Sequence, residues 1–286
     1  MIALPKHLQA MLEPQLREGE YLGEDGLIRC ASCHGLRQVS VALGDRTIRP
    51  RALCPCQSAA EEARRQAQKA MELRDRIQKN RALGLPEPLH RSYTFEADKG
   101  KNKDLTAKAR RYTDAWERMY QEGIGLLILG DVGTGKSFAA GCIANALLDQ
   151  GVSVLMTNFS RILNALSSLQ WGDRNGYIDD LNRYSLLIID DLGIERSTDY
   201  VLEQVYSVID GRYRSGKPLI VTTNLTLPEL KQSRDMAHRR IYDRILERCV
   251  PVQAKGENIR RQNAAGNMKA ARALLESSTQ AAGMKT

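Results

Sequence analysis

The chain has 286 residues, 42% of them hydrophobic and 27% charged, which allows one packed domain plus a smaller one and excludes wholesale disorder. No apolar run approaches the roughly 20 residues of a membrane helix, and the opening stretch is read as lacking a secretory leader, so the expected location is cytoplasmic. A formal charge of +8 is compatible with a polyanionic partner without demanding one.

In chain order, residues 1–29 read as helical at first and then polar. Four of the six cysteines follow, at Cys30, Cys33, Cys54 and Cys56, around a predicted hairpin through residues 36–43 and 47–53, where Val39, Val41 and Leu43 alternate with small or polar neighbours. In a reducing compartment, cysteines clustered in this way favour a metal over disulfides. Two close pairs can wrap one tetrahedral Zn²⁺, whose binding would supply the folding energy that so small a module lacks. The second pair is one residue tighter than the usual spacing, and His34 is an alternative ligand. Cys142 and Cys249 are expected in the core. Residues 58–83, rich in Ala, Glu, Arg, Lys and Gln, predict a helix. Its thin apolar stripe (Ala63, Ala67, Ala70, Ile77) suits an exposed connector.

Prolines at 86 and 88 end that helix. Residues 96–104 read as a loop and 105–122 as an amphipathic helix. Then short apolar runs at 125–129, 152–157, 186–189, 218–222 and 250–252 alternate with helical segments, the pattern of a layered α/β fold on a parallel sheet. The stretch after Asn263 reads as a flexible tail.

Gly130, Asp131, Val132, Gly133, Thr134, Gly135, Lys136 and Ser137 fill every position of G-x-x-x-x-G-K-[ST], between a predicted strand and a helix that opens at Phe138. Glycines let backbone N–H groups wrap phosphates, and the helix N-terminus adds partial positive charge. Lys136 is expected to reach the β- and γ-phosphates of ATP, and Ser137 to ligate Mg²⁺. The apolar run before Asp190 would deliver that carboxylate to the same sheet edge as the outer partner of Mg²⁺, with Asp191 placed to orient the attacking water.

Three further segments complete the order: Thr222-Thr-Asn224, Arg240-Ile-Tyr-Asp-Arg244 and Glu257-Asn-Ile-Arg260-Arg261. With these, residues 85–262 resemble the DnaC/DnaI helicase loaders and the related IstB transposition ATPases, all AAA+ proteins. Pro88–Phe95 looks like their lead-in segment, and Asp190-Asp-Leu-Gly193 looks like their acidic strand ending. The resemblance implies an AAA+ P-loop NTPase: a three-layer α/β core with a parallel sheet and a truncated lid, preceded by a small zinc module and a helical connector. The corresponding boundaries are 1–57, 58–84, 85–262 and 263–286.

The same resemblance implies residue roles. Asn224 stands at the sensor position that touches the γ-phosphate or the water. Arg244 stands at the arginine-finger position, reaching a neighbouring subunit's ATP, with Arg240 one turn earlier on the same face. Arg260 contacts its own subunit's nucleotide, with adjacent Arg261 as the rival. Single-stranded DNA would run past Arg161, Trp171, Arg196 and Tyr200, the aromatics stacking on bases and the arginines meeting phosphates. Asp191 stands where many AAA+ proteins carry Glu, which points to slow turnover, and the short lid suits a switch rather than a motor. The expected function is loading of a hexameric replicative helicase onto single-stranded DNA, with self-assembly through the ATP sites and the zinc module gripping the helicase. The alternative is an IstB-like transposition helper bound to duplex DNA. A small-molecule kinase fits less well, because the second acid, Asn224 and the later arginines have no place in it.

Overall fold

The computed structural model describes residues 15–170, 172–193, 198–232 and 235–261, together with 264, 268, 271, 272, 274 and 275. The chain divides into two compact units, Met1–Leu73 and Arg74–Thr286.

The first unit holds two short antiparallel hairpins. β1 (Glu20–Leu22) pairs with β2 (Ile28–Cys30), and β3 (Val41–Leu43) pairs with β4 (Arg46–Ile48) across a two-residue loop whose Gly44 takes φ 58°. The second hairpin is the expected one, with a shorter ladder extended by the Gln38–Arg51 bridge. The first was not expected from the sequence. Its strands are three residues long and carry Glu20 and Arg29, too short and too polar for a period-two pattern to register. What fixes it is charge as well as burial. The Glu20 carboxylate is fully covered and takes Arg51 at 2.6 Å and Arg37 at 3.0 Å. Apolar burial is slight: Ile28, Cys30 and Cys54 are inside, while Val39, Val41, Leu43, Ile48 and Leu53 lie exposed. Helix α1 (Pro55–Gly84) starts directly after Cys54.

The second unit opens on the last turns of α1. Arg81 donates to Asn145 and pairs with Asp149, and Gly84 lies so close to the Val154 carbonyl that a Cβ would stand 1.9 Å from it. Then come α2 (Pro88–Arg91), α3 (Lys103–Asp114) and α4 (Trp116–Glu122). The helix expected over 105–122 is thus two helices, parted at Ala115, which leaves the helical region.

The core is a five-stranded, all-parallel sheet in the order β6-β7-β8-β5-β9, with β5 Gly125–Leu129, β6 Val154–Asn158, β7 Leu186–Leu192, β8 Leu219–Thr223 and β9 Cys249–Gln253. Alternation along each strand assigns side chains to two faces. Leu126, Ile128, Leu186, Ile188 and Ile220 pack under α3, α4 and α5 (Lys136–Asp149). Leu127, Leu129, Leu187, Ile189 and Val221 pack on the other face, under α6 (Phe159–Ser168), α7 (Asp173–Arg183), α8 (Asp199–Ser215), α9 (Leu227–Lys231) and α10 (Met236–Arg248). Helices on both faces explain why the central runs read as continuously apolar. Cys142 and Cys249 are buried as expected, and burial pushes each thiol up to about 12. Among the described residues, no helix is long and apolar enough to cross a membrane.

At the N-terminal end of the sheet lies Arg212, 1% exposed. It donates to the carbonyls of Tyr184, Ser185 and Pro218 at 2.6–3.1 Å, stitching the entries of β7 and β8 together.

Candidate functional site

At the other end of the sheet, β5 runs into the phosphate-binding loop and α5. Gly130, Gly133 and Gly135 take φ values of 148°, 84° and 94°, of which the last two are plainly left-handed and suit only glycine at low cost. A Cβ on Gly133 would stand 2.2 Å from the Asn258 side chain, so this glycine also makes room for the segment after β9. That segment is tied to the loop by the Ile259 N–H donating to the Gly133 carbonyl at 2.9 Å.

The loop, the lead-in segment and the segment after β9 enclose a cavity of about 460 Å³, a size suited to a small-molecule ligand. Of the residues expected to bind nucleotide, Val132, Gly133, Gly135, Lys136, Ser137, Phe138, Asp191, Asn224 and Arg260 line it. Arg260, not Arg261, faces this space. The Arg261 N–H instead donates to Asn258 Oδ1 at 3.1 Å. Gly130, Asp131 and Thr134 form the loop's frame: the Thr134 hydroxyl donates to the Asp131 carbonyl at 2.8 Å. The lead-in segment supplies Tyr93, whose ring lies 5.4 Å from that of Phe138, and the loop after it supplies Asn102, whose amide donates to the Thr134 carbonyl at 3.0 Å. Neither residue was singled out by the sequence motif, because both lie far upstream of the loop and meet it only in the fold.

Lys136 is 5% exposed and holds three oxygens: the carbonyls of Gly130 and Asp131 at 2.8 and 2.9 Å and Asn224 Oδ1 at 2.7 Å. Burial lowers its pKa, and the carboxylates of Asp191 and Asp190 oppose that shift. These are contacts a phosphate can replace, since the ammonium has three protons and the cavity lies beside it.

Asp190 and Asp191 sit at the end of β7, where the register with β8 shifts between Ile189 and Leu192. Asp191 adopts φ 62°, a conformation that costs a non-glycine residue free energy and marks functional sites when the surroundings hold it. Thr222 is what holds it. Its fully buried hydroxyl donates to Asp190 Oδ1 at 2.5 Å and accepts from the Asp191 N–H at 2.9 Å. Burial, then the charge of Asp190, raises the Asp191 pKa, while Lys136 and Arg260 pull it down. Thr222 was read only as part of a strand ending, and its role depends on a cross-strand neighbour.

Arg244 and Arg240 lie on α10, and neither lines the cavity. The Arg244 guanidinium binds Asp210 at 2.5 Å and the Tyr206 hydroxyl at 2.9 Å, and stacks 5.0 and 5.3 Å from the rings of Tyr206 and Tyr213. Arg240 lies 5.8 Å from the Tyr206 ring. Of the expected DNA contacts, Arg161 is exposed on α6 and pairs with Glu87 at 3.7 Å, and Tyr200 in the first turn of α8 lies under the Arg174 guanidinium at 5.7 Å. Trp171 and Arg196 lie outside the described residues.

In the first unit, the thiols of Cys30, Cys33, Cys54 and Cys56 all lie within 4.8 Å of one another. Cys30 and Cys56 are 3.7 Å apart, and Cys54 and Cys56 are 3.2 Å apart, against about 3.8 Å between sulfurs around a tetrahedral Zn²⁺. The N–H groups of Cys33 and Ser32 pull the Cys30 thiol down to about 6, and Cys33 is lowered too, chiefly by the Cys56 N–H. Hydrogen bonds shared with its neighbours, Cys54 first, push Cys56 up to about 12. The set thus favours some thiolates and resists full ionisation without a cation, which is the chemistry a Zn²⁺ completes. His34 is not part of the group. Its Nδ1 is bonded to the Tyr21 hydroxyl at 3.0 Å.

The family of IstB-like ATP binding proteins matches residues 64–266. The replicative helicase loader DnaC of Escherichia coli is 26% identical over 164 residues, 55% of this chain and 64% of DnaC. The replicative helicase loader DnaI of Bacillus subtilis is 27% identical over 150 residues, 49% of this chain and 48% of DnaI. An ATP-binding protein in an insertion sequence of Mycobacterium tuberculosis is 31% identical over 111 residues, 37% of this chain and 43% of that protein. The chain therefore spans less than two thirds of the length of each of these relatives. With a phosphate-binding loop on a five-stranded parallel sheet and a family match over residues 64–266, the chain belongs to the family of IstB-like ATP binding proteins.

Proposed function

We propose that the chain is an ATP-dependent helicase loader, which binds a hexameric replicative helicase and single-stranded DNA and uses ATP binding and hydrolysis to switch between capture and release. The observation that carries this reading is the presence, in one chain, of a four-cysteine module ahead of an IstB-type ATPase unit. A transposition helper needs the ATPase but gives the cysteine module no task.

In this reading ATP fills the cavity with its triphosphate over Gly130–Ser137. Lys136 exchanges its carbonyl partners for phosphate oxygens, and Asn224, its third partner, is left free to meet the γ-phosphate or the water. Ser137 and Asp190 would hold Mg²⁺, whose charge would screen that of the phosphates. Asp191 orients the attacking water, and Arg260 contacts the phosphates from the segment after β9. Arg244, outside its own subunit's cavity, serves the neighbouring subunit, with Arg240 beside it, so ATP links subunits to one another. Arg161 and Tyr200, with Trp171 and Arg196, meet single-stranded DNA. Cys30, Cys33, Cys54 and Cys56 would hold one Zn²⁺, and the module they form is the grip on the helicase. The cytoplasm is the compartment in which such a machine works.

The second reading is a transposition helper bound to duplex DNA. It is favoured by the 31% identity to an insertion-sequence protein. Co-purification with the cognate hexameric helicase, in ATP and single-stranded DNA, separates the two. The loader reading expects capture by the wild-type chain, loss of capture by a Cys54→Ser/Cys56→Ser variant that no longer retains zinc, and weakened capture by Arg244→Ala. Failure to bind helicase together with ATP-dependent retention of duplex DNA would establish the helper reading instead.

A further inference from the structure

Arg244 is held in a more elaborate setting than a surface arginine needs. Tyr206, Asp210 and Tyr213 stand on one face of α8, and Arg240, Arg244 and Arg248 recur every four residues along α10, so the two helices interleave cations and rings. Arg240 lies 5.8 Å from Tyr206, Arg244 lies between Tyr206 and Tyr213, and Arg248 lies 5.1 Å from Tyr213. Asp210, 8% exposed, sits at the centre. One of its oxygens takes Arg244 Nε, and the other takes Arg214 at 3.0 Å.

An isolated arginine side chain must lose rotamer freedom before it can meet a phosphate in one orientation. Here that loss is already incurred in folding. The carboxylate and the Tyr206 hydroxyl occupy the Nε and Nη2 side of the guanidinium, its carbon lies 5.0 and 5.3 Å from the ring centres of Tyr206 and Tyr213, and no described hydrogen bond takes Nη1. None of Tyr206, Asp210, Tyr213 and Arg244 lines the nucleotide cavity of its own chain.

We infer that Asp210, seconded by Tyr206, is the positioning residue for Arg244, holding the guanidinium so that its free edge meets a phosphate oxygen bound to the next copy of this chain. This rests on the reading of Arg244 as acting in trans. A group oriented in advance avoids reorganisation at the moment of reaction, and misplacement by about 1 Å costs up to about 100-fold in rate.

The test uses full-length chains and subunit mixing. Asp210→Asn, which keeps the shape and removes the charge, is expected to lower kcat for ATP about 10-fold with KM unchanged. Lys136→Ala chains have a disabled nucleotide site but an intact Arg244 and Asp210. Mixing them with Asp210→Asn chains is expected to restore hydrolysis at the variant's own intact sites, as it does for Arg244→Ala. Tyr206→Phe, which removes only the hydroxyl contact, is expected to show a smaller loss with the same restoration, and keeps the test open should Asp210→Asn fail to fold.

Restoration of Arg244→Ala but of neither Asp210→Asn nor Tyr206→Phe would place Asp210's effect within its own subunit and overturn the inference. So would wild-type turnover by Asp210→Asn. Failure to restore Arg244→Ala itself would instead remove the trans reading, and this inference with it.

Discussion

The central sheet carries a buried cation at each end, and the two are held differently. Arg212, at the N-terminal end, meets only backbone carbonyls, those of Tyr184, Ser185 and Pro218, with its donors spent on the entries of two strands. Burial alone pulls its pKa down, to about 10. Lys136, at the C-terminal end, also meets carbonyls, but it shares Asn224 with β8, feels the charges of Asp191 and Asp190, and borders an open cavity. Similar burial therefore means different things. A cation saturated by fixed carbonyls is part of the frame, whereas one whose partners include a side chain and two nearby acids beside a cavity is ready to change partners.

Substitutions sharpen that contrast. The largest effect belongs to Lys136→Ala, which is expected to cut ATP hydrolysis on the order of 10²–10³-fold while leaving the thermal unfolding midpoint near that of wild type. Steady-state turnover alongside a melting curve checks both halves. Arg212→Met should do the reverse. Three carbonyls lose their donor and stability falls by about 3 kcal/mol, while ATP affinity at a temperature where the variant is folded stays unchanged. Urea titration and nucleotide binding measure the two. If the Arg212 variant lost ATP binding without losing stability, the division between frame and site would be wrong.

Smaller effects probe the acidic strand ending. Thr222→Val removes the hydroxyl that bridges Asp190 and the Asp191 N–H, and is expected to lower kcat about 10-fold, with Thr222→Ser recovering most of the loss. The least dramatic prediction concerns pH. In the proposed mechanism Asp191 orients the water as a carboxylate, and its pKa is raised above the ordinary carboxylate value by burial and by Asp190. Activity should therefore fall with decreasing pH at a higher pH than an ordinary carboxylate would give. The acid limb of kcat/KM reports this group in the free enzyme, and Asp191→Asn should abolish the limb along with most of the turnover.

What could be read from the sequence follows the same division. The phosphate-binding loop is local in sequence, and strands buried on both faces announce themselves as unbroken apolar runs, so loop, sheet and fold class were legible together. Contacts that join distant segments were not. Thr222 looks like one more β-branched strand residue until β7 lies beside it, and Asn102 meets Thr134 only after the loop before α3 folds back. Asp210 is an ordinary helix acid until α10 delivers Arg244 to it. In the first unit the cysteine cluster was legible because two close pairs of thiols are visible in the spacing, and the fold brings all four within 4.8 Å of one another. The hairpin at Glu20–Cys30 was not, because its strands are too short for an apolar pattern and Glu20 is held by Arg37 and Arg51 from outside it.

The proposal that ATP switches capture to release is tested most directly by following helicase let go from a preformed complex. Helicase captured on the immobilised chain in ATP and single-stranded DNA would be timed as it leaves, for wild type and for Asp191→Asn, which keeps the cavity and loses the base. The account predicts release from wild type at the rate of hydrolysis and retention by Asp191→Asn. Equal release from both would show that hydrolysis at this site does not drive the switch.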